Sequence, residues 1–158
     1  DEQGVMQDAR AARAWLAQRA AVDEKQVVLL GESLGGGAAV GLAAEVPPRA
    51  LVLQSTFTSM PDVAAVHYPF LPARLLMDTR FDSLAKIASY HGPVFSSHGE
   101  RDEIVPLAQG RRLFDAAPSS QKRFLEISGA GHNDALPPDY YRELAEFLQA
   151  LPGDERSP

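Results

Sequence analysis

The stretch "VVLLGESLGGGAA", residues 27–39, narrows the choice of fold more than any other part of the chain. Its apolar residues are consecutive rather than alternating, which predicts a strand over 26–31 with both faces covered, the habit of parallel sheets. Small residues from Ser33 to about Glu45, stopped by Pro47-Pro48, predict a helix. Between the two, Ser33 stands in a turn with Gly31 and Gly35 on either side. Backbone crowds such a strand-to-helix turn, so its flanking positions must be tiny. The same pattern also describes a serine N-cap in a glycine-rich turn, and residues farther along the chain have to separate the two readings.

Three more strands are predicted: "RALVLQS" (49–55), "GPVFSSHG" (92–99) and "KRFLEI" (122–127). Helices are predicted over 2–20 and 106–117, with a turn or two of helix over 82–89. A last helix carries Tyr140, Leu144, Phe147, Leu148 and Leu151 on one face. Residues 57–80 contain Pro61, Pro69 and Pro72 among large side chains, which predicts short helices and turns set apart as a cap. "PGDERSP" (152–158) is a polar tail after a single domain over 1–151. Strand and helix alternate, so the expected class is α/β, a parallel sheet with helices on both faces. In such sheets chemistry gathers at the carboxyl ends of the strands.

Charge and composition remove several functions. Fifteen Lys and Arg stand against 21 Asp and Glu, for a net charge of −6, and no basic run occurs. That argues against nucleic acid or an anionic membrane as partner. The chain has no cysteine, which excludes disulfides, thiolate nucleophiles and Cys-ligated zinc. No apolar run approaches the ~18 residues of a membrane span, and no signal peptide opens the sequence. It begins at Asp1 rather than Met, which predicts that translation began upstream. No His/Asp/Glu cluster has metal-ligand spacing. Gly35 and Gly37 fit a dinucleotide fingerprint, but Val40 occupies its third glycine position and no phosphate-loop lysine follows. Neither a cofactor nor a metal is expected.

A serine hydroxyl is a poor nucleophile until a base takes its proton. Of four histidines, His132 in "SGAGHND" lies just past the end of the fourth strand, where Gly129 and Gly131 let the loop turn back over the sheet. His98 ends the third strand, and His67 and His91 lie in or beside irregular segments. An acid must orient the base. Asp102 in "HGERDEIVP" follows the third strand at the same sheet edge; Glu100, Glu103 and Asp134 compete for the role. The order Ser33, Asp102, His132 is the one expected of a nucleophile–acid–base triad on this kind of sheet. The backbone N–H of Leu34, at the helix start, would face an anion forming near the Ser33 oxygen.

With "GESLGGGAA", "FDSLAKI", "PVFSSHGERDEIVP" and "GAGHND" in this order, the chain resembles an alpha/beta-hydrolase over roughly residues 2–150, and is most similar to the serine aminopeptidase-like and esterase- or lipase-like branch. The resemblance implies Ser33 as nucleophile, Asp102 as triad acid, His132 as base and the Leu34 N–H as one oxyanion donor. It implies that 57–80 is the cap lining an acyl pocket, where Phe57, Tyr68, Phe70 and Met77 would suit a modest apolar acyl group. The expected substrate is a small ester or thioester, with peptides also within the family's range.

Members of that family have about eight strands, and this chain offers the last four. The loop that completes the oxyanion hole belongs to the other half. "VVLL" reads as a central strand with no earlier strand to pair with, whereas Lys122, Arg123 and Glu126 guard the last strand as an edge. Two arrangements answer this: a symmetric homodimer through the open edge of 26–31, or a longer polypeptide. Two rival functions follow, a catalytically impaired half that serves as a binding or assembly module, and a doubly wound domain whose serine turn grips an anion.

Overall fold

The computed structural model describes residues 1–152. Helix α1 (Glu2–Ala20) leads through a short 3-10 turn (Glu24–Gln26) into β1 (Val28–Glu32), α2 (Leu34–Glu45) and β2 (Ala50–Gln54). Three short helices follow, α3 (Met60–His67), α4 (Ala73–Leu76) and α5 (Ser83–Ile87). The chain ends with β3 (Val94–Gly99), α6 (Leu107–Ala116), β4 (Lys122–Ile127) and α7 (Pro138–Gln149). The tail predicted for 152–158 lies, beyond Pro152, outside the described residues.

The four strands form one all-parallel sheet in the order β1-β2-β3-β4. Its centre is apolar on both sides: every residue of β2 and β3 is buried. One face packs under α1, α2, α5 and α6 through Leu29, Leu51, Leu53, Val94, Val40, Ile87 and Leu113. The other packs under α7, where Ala50, Val52 and Phe95 meet Tyr140, Phe147 and Leu151. Each such large side chain contributes roughly 1.5–3 kcal/mol by leaving water. Segment 57–80 holds α3 and α4, with Pro69 and Pro72 between them.

Two details depart from the expectation. The chain enters β1 later than residue 26, because Asp23 accepts from the Lys25 N–H while the Gln26 side chain accepts from the Asp23 N–H, holding 24–26 in a turn. The first strand is also not covered on both faces. Leu29 and Gly31 are buried, but Leu30 is 56% exposed, because α7 covers the middle of the sheet and leaves this position open.

Candidate active site

Three loops at the carboxyl ends of β1, β3 and β4 converge. The first is the turn at Ser33, whose backbone sits at φ 49° and ψ −117°. A non-glycine residue held there stores strain of order 1–3 kcal/mol. Packing holds it in place. A Cβ on Gly31 would collide with the backbone of Gly35 and Gly36, and one on Gly36 would collide with the Thr56 side chain. Gly35 itself faces open space, so the crowding falls on Gly31 and Gly36 rather than on the symmetric pair expected from the sequence. Thr56 Oγ1 donates to the Ser33 carbonyl at 2.9 Å.

Asp102 sits in the second loop, 7% exposed. Its Oδ1 accepts the backbone N–H of Ile104 at 3.0 Å and of Val105 at 2.8 Å. That leaves Oδ2 aimed at the third loop, where it lies 2.7 Å from His132 Nδ1. His132 Nε2 lies 3.0 Å from Ser33 Oγ. Asp102 therefore fixes the proton of a neutral His132 on Nδ1, and Nε2 offers a lone pair to the serine hydroxyl. The arrangement can draw a proton from Ser33 and hold it as an imidazolium.

Two of the competing carboxylates, Glu100 and Asp134, have other work. Glu100 Oε2 accepts from the Gly129 N–H at 2.9 Å and from Ser128 Oγ at 3.0 Å, and these bonds hold its carboxyl below the usual range. Asp134 accepts from the Gly131 N–H at 2.8 Å. Both brace the histidine loop. Glu100 N–H and Arg101 N–H, bound to the carbonyls of Ile127 and Ala130, tie the acid loop to it. Leu34 opens α2, so its N–H belongs to the first turn, outside the helical ladder.

The four residues expected around an acyl group are placed differently from one another. Phe57 is buried in the core. Tyr68 and Phe70 stand exposed, ring edge to ring face, and Met77 is partly buried. None of them lines the two cavities that border His132. The more enclosed of the two, about 290 Å³, is lined by Glu32, Gln54, Ser97, His132 and Tyr141 among others. Among the described residues, no group of three or more His, Asp or Glu could hold a metal ion. No helix among them is long and apolar enough to cross a membrane.

Sequence reasoning missed two neighbours of this site. Thr56 follows β2 with no distinguishing pattern. His98 was noted only as the end of β3, yet its Nε2 lies 2.8 Å from the Val105 carbonyl oxygen and 3.2 Å from Asp102 Oδ2. Burial pushes the pKa of its imidazole down, so the ring is held neutral. The available signal was its spacing: His98 and Asp102 are four residues apart across a turn.

"Uncharacterized protein Rv2307c" of Mycobacterium tuberculosis (strain H37Rv) is 49% identical over 133 residues, covering 84% of this chain and 47% of that protein. Protein bem46 of Schizosaccharomyces pombe is 32% identical over 155 residues, covering 93% of this chain and 51% of bem46. The chain thus spans about half the length of the curated relatives it matches. Among solved structures, an acetyl xylan esterase from Paenibacillus sp. R4 superposes with a TM-score of 0.75 at 17% identity, over 93% of this chain and 52% of the esterase. The architecture is that of an alpha/beta-hydrolase, represented in part. The family model described as the prolyl oligopeptidase family, Peptidase_S9, matches residues 2–153, and the chain belongs to that family.

Proposed function

We propose that this chain carries the catalytic half of a serine hydrolase that cleaves carboxylic esters or thioesters through an acyl-Ser33 intermediate. The observation behind this reading is the contact between His132 Nε2 and Ser33 Oγ at 3.0 Å, with Asp102 on the far nitrogen at 2.7 Å. Ser33 Oγ attacks the acyl carbon as His132 Nε2 takes its proton. The oxyanion faces the Leu34 N–H. Collapse breaks the bond to the leaving oxygen or sulfur, which receives the proton from His132. Water then repeats the sequence: His132 takes one of its protons, the remaining hydroxide attacks the acyl carbon, and Ser33 recovers its proton as the acid departs. No cofactor enters these steps. Of the four residues expected at the acyl group, Tyr68, Phe70 and Met77 of the cap are assigned to it, while Phe57 belongs to the core.

A second reading, hydrolysis of peptides, is favoured by the family match, since the same acyl-serine chemistry serves amides. A third follows from length. The relatives are about twice as long, and without a second oxyanion donor turnover falls about 100- to 1,000-fold. The chain would then serve as a binding or assembly module. The open edge of β1, with Leu30 exposed, is covered in the isolated chain by a second copy, and a stable monomer by gel filtration with light scattering overturns that arrangement.

A fluorophosphonate probe tests the main reading. Labelling abolished by Ser33→Ala, with cleavage of short nitrophenyl esters, is the expected result. Well-folded protein that takes no label overturns it in favour of the module. Labelling with cleavage of peptide anilides but not esters selects the peptidase.

A further inference from the structure

His98 is among the most enclosed polar groups of the molecule, 1% exposed, and the proposed chemistry does not use it. Its Nε2 points at two oxygens, Val105 O at 2.8 Å and Asp102 Oδ2 at 3.2 Å. A lone pair in that position would be repelled by both, so the proton resides on Nε2. Nδ1 then carries a buried lone pair with no hydrogen-bond partner. An orphaned buried nitrogen is unfavourable, and packing alone would be served better by an apolar side chain of similar volume. What the imidazole supplies that leucine cannot is the N–H between Val105 and Asp102.

That N–H meets the same carboxylate oxygen that faces His132. Asp102 Oδ1 is already saturated by the Ile104 and Val105 N–H groups. Oδ2 has one lone pair for His132 and one for His98. We infer that His98 is a positioning residue, whose Nε2–H fixes Asp102 Oδ2 on the His132 ring and sets how much carboxylate charge that ring receives. The role rests on the hydrolase reading.

The surroundings are built around the ring. Helix α6 lays Gly110 on it, and a Cβ there would strike His98 Nδ1. A glycine inside a helix costs about 1 kcal/mol relative to alanine, and here the contact explains it. The titratable groups facing His98 are Asp102 and His132. Its register partner in β4, Glu126, is engaged by Arg111 of α6 at 3.0 Å. Around His132 stand Asp134, Glu103 and Arg101 on one side and Glu32 on the other.

With only four histidines in the chain, ring resonances can be assigned by single substitutions. The test follows the pH midpoint of the His132 ring by NMR in the parent protein, His98→Leu and His98→Gln, each with a folded amide spectrum. Loss of the donor leaves more negative charge on Oδ2, which favours the imidazolium. His98→Leu therefore moves the midpoint up by about half to one pH unit. Glutamine, whose Nε2 reaches the same place, restores most of it. The acid limb of kcat/KM on a nitrophenyl ester moves with the ring, while kcat falls about tenfold and KM stays within about twofold. Should the leucine variant fail to fold, Gly110→Ala displaces the ring without removing it and shifts the midpoint the same way. A folded variant with unmoved midpoint and limb overturns the inference. Parent protein inert to esters and probe overturns the hydrolase reading instead, and the ring titration, which needs no turnover, still decides the role of His98.

Discussion

Thr56 Oγ1 donates to the carbonyl oxygen of Ser33 at 2.9 Å, so the end of β2 grips the proposed nucleophile by its own backbone. The threonine is 1% exposed and lies against Gly36. Thr56→Val keeps the shape and removes the donor. It should cost about 1 kcal/mol in stability by thermal melting, the worth of one hydrogen bond. The rate of fluorophosphonate labelling should fall severalfold. Equal labelling rates would mean that the strained turn holds itself.

The glycines of the turn divide by contact. Gly31→Ala and Gly36→Ala each force a Cβ into atoms that cannot recede freely, the backbone of Gly35 and Gly36 in one case and the enclosed Thr56 in the other. Each should lose about 3 kcal/mol or more, or fail to fold. Gly35→Ala meets nothing and lies in the first turn of α2, so it should be neutral or stabilising by up to about 1 kcal/mol. Urea unfolding of the three variants ranks them.

Asp102→Asn tests the carboxylate by keeping the size. Its remaining oxygen can still accept from Ile104 and Val105, which turns the amide NH2 toward His132 Nδ1 and His98 Nε2. The proton of His132 is then driven to Nε2, where it faces Ser33 and blocks proton uptake. A loss in kcat of about 10⁴ is expected with little change in KM. A loss under tenfold in steady-state ester hydrolysis would point to Glu100, Glu103 or Asp134 as the working acid.

Acid should loosen α1 from the segment leading into α5. Glu2 Oε2 accepts from the Arg80 and Phe81 N–H groups at 3.0 and 2.8 Å, and Oε1 pairs with Lys86 at 2.9 Å. Burial works to raise the pKa of this carboxyl, but the Phe81 N–H, Lys86 and the Arg80 N–H outweigh it and hold it below the ordinary 4.5. A depressed folded-state pKa gives stability that is complete above the unfolded value and is lost as pH falls through the folded one. Glu2→Gln should therefore cost about 1–2 kcal/mol at pH 7 and flatten the fall in stability below pH 4.5. Denaturant midpoints measured from pH 7 to pH 3 check the sign.

That Ser33, Asp102 and His132 would meet was legible because each follows the end of a strand pattern, and strand ends share one edge of a parallel sheet. Chain order and the family resemblance favoured Asp102, while Glu100, Glu103 and Asp134 stood near enough in sequence to compete. Only the backbone N–H groups of 104 and 105 select Asp102. Phe57 resembled its aromatic neighbours at 68 and 70, yet it is core while Phe70 is 79% exposed, a distinction made by tertiary packing. The late start of β1 came from a local capping box that outcompeted an apolar run by a residue or two. His98 and Gly110 were invisible as a pair because their contact crosses from strand to helix, where no periodicity reports it.

Because strands β1 to β4 lie side by side in the order of synthesis, the polypeptide can close like a hand of cards gathered from one end. Ser33 leaves the ribosome 99 positions ahead of the imidazole that would activate it. On the proposed mechanism, the hydroxyl is chemically ordinary until the final strand seats. Reactivity toward an electrophilic probe would then double as a clock for the last step of folding, silent in every partly assembled intermediate.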